Sequence, residues 1–158
     1  MMRITREADY GILLMTGLAQ SEGQPRSAAA LAQQRCLPLP MVSKILKTLT
    51  RSGLLTSQRG AQGGYCLARP ASEISAADII HALEGPLAIT ECSAAHEGCA
   101  RQEHCDVSGH WPRINQAIYA ALHSISLAEM SRPDPVHPVQ FHPAHRTVAV
   151  INAANRSA

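Results

Sequence analysis

The 158 residues suffice for one ordinary domain core with a helical appendage. Hydrophobic residues at 46% and charged residues at 16% exclude an intrinsically disordered chain, while aromatics at 3% require a core of aliphatic helix faces, so a mostly α fold is expected. The formal charge of +2 hides a segregation, since Gln24 to Pro70 carries +7 without one acidic residue and Ala71 to Cys105 carries −5; a continuous cationic element suits a polyanionic partner, whose counterions it releases.

The first residues lack the basic-then-apolar build of a signal peptide, and no run of about 18 apolar residues follows, which predicts a cytoplasmic chain with no membrane partner. A first helix is expected from Glu7 to Ala19, burying Tyr10, Leu13, Leu14, Gly17 and Leu18 at helical spacing. Ser27 is placed to cap a short second helix, Ala28 to Gln34, and Leu37–Leu39 form a turn. Pro40 fits the first position of a third helix that buries Val42, Ile45, Leu46 and Leu49 and ends at Gly53. Its opposite face presents Met41, Ser43, Lys44, Lys47, Thr50 and Arg51, hydrogen-bonding and cationic groups suited to base edges and phosphates. Leu54–Gln58 and Tyr65–Ala68 read as strands of a hairpin around Arg59, Gly60 and the glycines that follow. Helix, helix, turn, basic amphipathic helix and hairpin in that order predict a winged helix-turn-helix domain on residues 1–85, with the third helix in the major groove and the wing reaching DNA through Arg59 and Gly60.

Ser75 caps a fourth helix, Ala76 to Leu83, which Gly85 and Pro86 stop. Residues 86–109 then carry Cys92, Cys99 and Cys105 in a stretch otherwise rich in Ser, Ala, His, Glu, Gly, Arg and Gln. Thiols that merely fill a core are buried among apolar neighbours, so three in a polar loop point to metal ligation. The gaps of six and five residues are wider than the pairs that grip structural zinc, which puts an iron-sulfur cluster ahead of zinc. A fourth ligand is then sought among His96, His104, Ser108, His110 and, from the first helix of either subunit, Asp9. Cys36 and Cys66 stand apart and read as core residues.

Over residues 110–130, Trp111, Ile114, Ile118, Leu122 and Ile125 share the stripe of one long helix that ends near Met130, and a single uncovered apolar face predicts a homodimer that reads two half-sites of double-stranded DNA with two-fold symmetry. Residues 131–158 read as a disordered tail. The sequence offers no nucleophile-base pair, phosphate-cradling loop or paired carboxylates, so an enzyme is not expected.

Arg3-Ile4-Thr5 with Asp9-Tyr10-Gly11, the run Val42-Ser43-Lys44-Ile45-Leu46-Lys47, Ser52-Gly53-Leu54, Arg59-Gly60-Ala61-Gln62-Gly63-Gly64-Tyr65 and the cysteine triplet before Trp111 together resemble the IscR/NsrR family of winged-helix regulators from Met2 to Met130, nearest its branch that controls SUF iron-sulfur cluster assembly genes. The resemblance implies a homodimeric repressor whose cluster, a 2Fe-2S centre ahead of a 4Fe-4S one, sets operator affinity. It also implies a fourth ligand: the histidine of IscR-type members falls on Ser108, whereas Asp9 matches the NsrR-type aspartate and is preferred. A nitric oxide or redox sensor of the same fold is the alternative, and a zinc-stabilised DNA-binding module without sensing is a third.

Overall fold

Thr5 opens the first helix as a short hydroxyl side chain can, accepting the Ala8 N–H at 3.2 Å. The structure, a computed structural model, describes residues 4–60, 63–90 and 105–133. Helix α1 (Arg6–Ala19) carries Glu7 and Asp9 in its first turn, where carboxylates suit the positive end of the helix dipole. Its buried face runs through Ala8, Gly11, Leu14, Met15 and Leu18; Tyr10 and Leu13, expected at its centre, are half-buried flanks. Ser27 caps α2 (Ala28–Arg35) by accepting the Ala30 N–H at 3.1 Å, and the helix ends on Cys36 in the left-handed region, φ 52°.

Helix α3 (Leu39–Arg51) starts one residue earlier than expected, with Pro38 as its cap and Pro40 just inside the first turn. Val42, Ile45, Leu46 and Leu49 are all essentially inaccessible and join Leu14, Met15, Leu18 and Leu31 in the core. The chain then forms β1 (Leu55–Gln58) and β2 (Gly64–Leu67), antiparallel with Leu55 opposite Leu67 and Gln58 opposite Gly64. Arg26, between α1 and α2, adds an isolated antiparallel bridge to β2 that the sequence did not reveal: its N–H donates to the Tyr65 carbonyl at 3.1 Å and its carbonyl accepts the Tyr65 N–H at 2.9 Å. Backbone approaches backbone so closely here that a Cβ on Gly64 would lie 2.6 Å from the Arg26 carbonyl oxygen, which makes glycine obligatory at the root of the wing.

A short 3₁₀ turn (Ala71–Glu73) leads into α4 (Ala76–Glu84), opened by a reciprocal cap in which Ser75 and Asp78 each accept the other's backbone N–H. The single helix expected from Trp111 to Met130 is instead two. Helix α5 (Trp111–His123) stops at Ser124, and Ser126 caps a separate turn, α6 (Leu127–Met130), with Glu129 completing a second reciprocal cap. Tertiary hydrogen bonds cause the break: the Ile125 carbonyl accepts the Ala76 N–H at 2.9 Å and the Leu127 N–H donates to the Ile74 carbonyl at 2.7 Å. Leu127 thereby enters the core fully buried and α6 docks beside α1, which a continuous helix could not do.

Candidate nucleic-acid interface and cysteine site

The face of α3 opposite the core presents Lys44, Lys47 and Arg51 to solvent, one helical turn apart. Met41 and Ser43, expected on the same face, are half-buried, and Met41 packs against the core. Thr50 turns its hydroxyl inward to donate to the Leu46 carbonyl at 2.7 Å. Arg59 and Gly60 stand exposed at the end of β1, and Gly60 holds φ 114°, a conformation that side chains resist. Between helix and wing lies a cleft of about 400 Å³ lined by Lys47, Thr50, Arg51, Ser57 and Tyr65. Ser57 and Tyr65 were legible only as strand residues; their place in the cleft follows from the hairpin register.

Lys44 carries a partner that sequence spacing does not reveal, because its ammonium donates to the Glu7 carboxylate across 37 residues of chain. Arg69, just beyond β2, donates to Asp78 at 3.1 Å and through its Nε to the Glu73 carbonyl at 3.1 Å, fastening the outgoing wing strand to α4.

Of the expected cluster ligands, Cys92 and Cys99 lie outside the described residues, as do His96 and His104. Cys105 is a free, half-buried thiol whose carbonyl accepts both the Ser108 N–H at 3.2 Å and the Ser108 hydroxyl at 3.0 Å, which commits that hydroxyl to the backbone. His110 is exposed at the N-cap position of α5, where its side chain makes no capping hydrogen bond; Asp9 is exposed in the first turn of α1. Among the described residues no three His, Cys, Asp or Glu side chains converge as a metal site. The available thiols are soft donors of the kind that iron-sulfur clusters take. Cys36 and Cys66 are not core residues as expected: Cys36 is exposed because the left-handed cap turns it out of the helix packing, and Cys66 is half-buried in β2, its thiol 3.6 Å from the Gly23 carbonyl.

No residue of α5 is fully buried. Trp111, Ile118 and Leu122 are half-buried, Leu122 facing Ala77 and Ile80 of α4, while Ile114 remains 44% exposed. Ile125, expected on the same stripe, has left the helix at the break.

A cationic third helix beside a short antiparallel hairpin, both carried on one aliphatic core, defines a winged-helix DNA-binding transcription regulator. The chain belongs to the Rrf2 family: the family model described as an iron-dependent transcriptional regulator matches residues 4–133. It is 30% identical over 138 residues to protein rrf2 of Nitratidesulfovibrio vulgaris, covering 87% of this chain and 92% of the relative. The structure of CymR, the global cysteine regulator of B. subtilis, superposes with a TM-score of 0.65 at 34% identity, covering 83% of this chain and 97% of that one. T. potens IscR does so with a TM-score of 0.61 at 33% identity, covering 82% and 85%. The chain is thus a regulator and not an enzyme, of a family that binds DNA and commonly acts as dimers. Among the described residues no helix is long and apolar enough to cross a membrane.

Proposed function

We propose that the protein is a homodimeric iron-sulfur sensor that represses cluster-assembly genes, with Lys44, Lys47, Arg51, Arg59 and Gly60 on DNA and Cys92, Cys99 and Cys105 holding a 2Fe-2S cluster. Residues 1–85 read a pseudo-palindromic operator, residues 86–109 hold the cluster and α5 joins the two copies. Asp9, exposed in the first turn of α1, is the proposed fourth ligand. One observation carries the reading: the third thiol of the triplet stands half-buried in the turn Cys105–His110 that leads without interruption into α5, so that ligation at Cys105 bears directly on the helix proposed to join the subunits. When bound, the cluster supplies a centre that oxidants, nitric oxide or iron shortage can damage. The chain's own part is to hold the thiolates and to change the set of the reading head.

The likeness to the B. subtilis cysteine regulator favours a second reading, in which the same fold answers sulfur supply without a cluster. Oxygen-free purification separates the two. The expected protein is coloured and contains about two iron and two acid-labile sulfide per protomer, as a 2Fe-2S centre requires. A colourless protein, with or without zinc, overturns the cluster. Titrating the coloured protein with oxygen and with nitric oxide while following operator binding then identifies the signal.

A further inference from the structure

Both arms of the cysteine loop are fastened to the first turns of α5. On the outgoing side, the turn Cys105–His110 is closed by the two hydrogen bonds from Ser108 and by the His110 N–H on the Val107 carbonyl at 3.0 Å, and the Ile114 N–H on the His110 carbonyl at 3.1 Å continues it into the helix. On the incoming side the fastening is one side chain. Asn115 donates from Nδ2 to the Leu87 carbonyl at 2.7 Å and accepts the Ile89 N–H on Oδ1 at 3.3 Å. The C=O of one residue and the N–H of the residue two further on point to the same side of an extended segment, which is the pair that a neighbouring strand would engage. The Asn115 amide therefore serves as a one-residue strand for the segment that enters the loop, three residues ahead of Cys92.

Helix α5 transmits in the other direction as well. Tyr119 and Leu122 lie against Ala77 and Ile80 of α4, and Asp78 of α4 holds Arg69, two residues beyond the wing strand β2. A displacement of the incoming arm that Asn115 follows would thus act on a body that continues to the wing.

We propose that Asn115 is a positioning residue that couples the state of the cysteine loop to α5 and, through α4, to the DNA-reading wing. The inference rests on the cluster reading above. An asparagine that merely satisfied two backbone groups would contribute to stability and leave the switch intact, so the test must read the switch itself.

The test compares the full wild-type chain with Asn115→Leu, which keeps the number and branching of the side-chain heavy atoms and removes both hydrogen bonds. Measured for each are association state, iron content and visible absorbance, hydrogen exchange over residues 86–90, and operator Kd by fluorescence anisotropy with the cluster present and after its removal. In wild type the two Kd values are expected to differ about tenfold or more, within the span of ordinary allosteric couplings, whereas in N115L their ratio approaches one and the cluster-free Kd stays within about twofold of wild type. Iron content is retained and Ile89 exchanges faster even without the cluster. An N115L protein that switches as wild type does, or whose Ile89 exchange is unaltered, overturns the inference alone. So does one that folds but takes up no iron, because Asn115 then builds the site. Should N115L fail to fold, Asn115→Asp, which keeps the acceptor for Ile89 and loses the donor to Leu87, decides: a reduced ratio supports the coupling and an unreduced one overturns it. A wild-type chain that binds no cluster, or binds one without effect on Kd, overturns the proposed function and this inference together.

Discussion

Of the exposed cations along α3, Lys44 differs from Lys47 and Arg51 in having, among the described residues, a carboxylate already against its charged group. The two side chains are 64% and 40% exposed, and such a pair contributes less than about 1 kcal/mol to folding, so its interest lies in DNA binding. A phosphate arriving at Lys44 meets a cation that Glu7 has partly neutralised, and fewer counterions are released for that contact. Replacing Lys47 by Ala is expected to lower the slope of log K against log salt by about one phosphate contact, whereas Lys44→Ala lowers it by less. Glu7→Gln removes the competitor and is expected to tighten operator binding and steepen the slope. Equal slopes for the two lysine variants, together with an inert Glu7→Gln, would show that Glu7 leaves the DNA contact alone. The basic face of α3 was legible because helical periodicity assigns sides to residues within one element. Glu7 was not, since only the packing of α1 on α3 brings it near.

The elements follow their local signals where caps and periodicity agree. Ser27 and Ser75 each precede a helix and each accepts the expected N–H, while Thr5, not expected as a cap, does the same for α1 and starts it at Arg6 instead of Glu7. The two strands were placed to within one residue by the glycine-rich turn between them. The break between α5 and α6 was missed although Ser126 and Glu129 carry the spacing of a reciprocal cap, because the apolar repeat ran through it. What decides against one helix is the pair of hydrogen bonds to Ile74 and Ala76, far away in sequence, which no local pattern contains. The cap of α4 gives a pH prediction. Burial raises the Asp78 carboxyl, but hydrogen bonds from Ser75, with Arg69 and His123 nearby, outweigh it and hold the group below its ordinary value of 3.8. A depressed folded-state value means that the stabilisation is fully present above 3.8 and is lost as pH falls through the lower value of the folded protein. Asp78→Ala is therefore expected to cost about 1 kcal/mol at neutral pH, as the loss of a helix cap does. In denaturant titrations the gap between variant and wild type should narrow steadily below pH 3.8; a gap constant down to pH 2 would exclude the ionised cap.

For the whole molecule, the docking of α6 decides what remains available for self-association. Leu127 pins the chain to the core just after α5, and Asn115 pins the loop to its first turns, so α5 is held at both ends while one of its sides stays uncovered among the described residues. The surface that the sequence assigned to a dimer is thereby narrowed: Ile125 has left the stripe and Leu122 faces α4, which leaves Ile114 with Ile118 and the edge of Trp111. Ile114 contributes little to its own domain, being 44% exposed, so a charge there should leave the fold intact. In a dimer built on α5 the same charge would be buried without a partner, a cost that opposes association. Ile114→Glu is accordingly expected to sediment as a monomer with an unchanged far-ultraviolet circular dichroism spectrum. Each monomer would still bear an intact α3 and wing, so affinity for an isolated half-site should stay as in the wild-type subunit, while affinity for the full operator falls by about a hundredfold or more through the loss of simultaneous engagement. A dimeric Ile114→Glu protein would move the interface off α5, and with it the route by which the cysteine loop could set the spacing of the two reading heads.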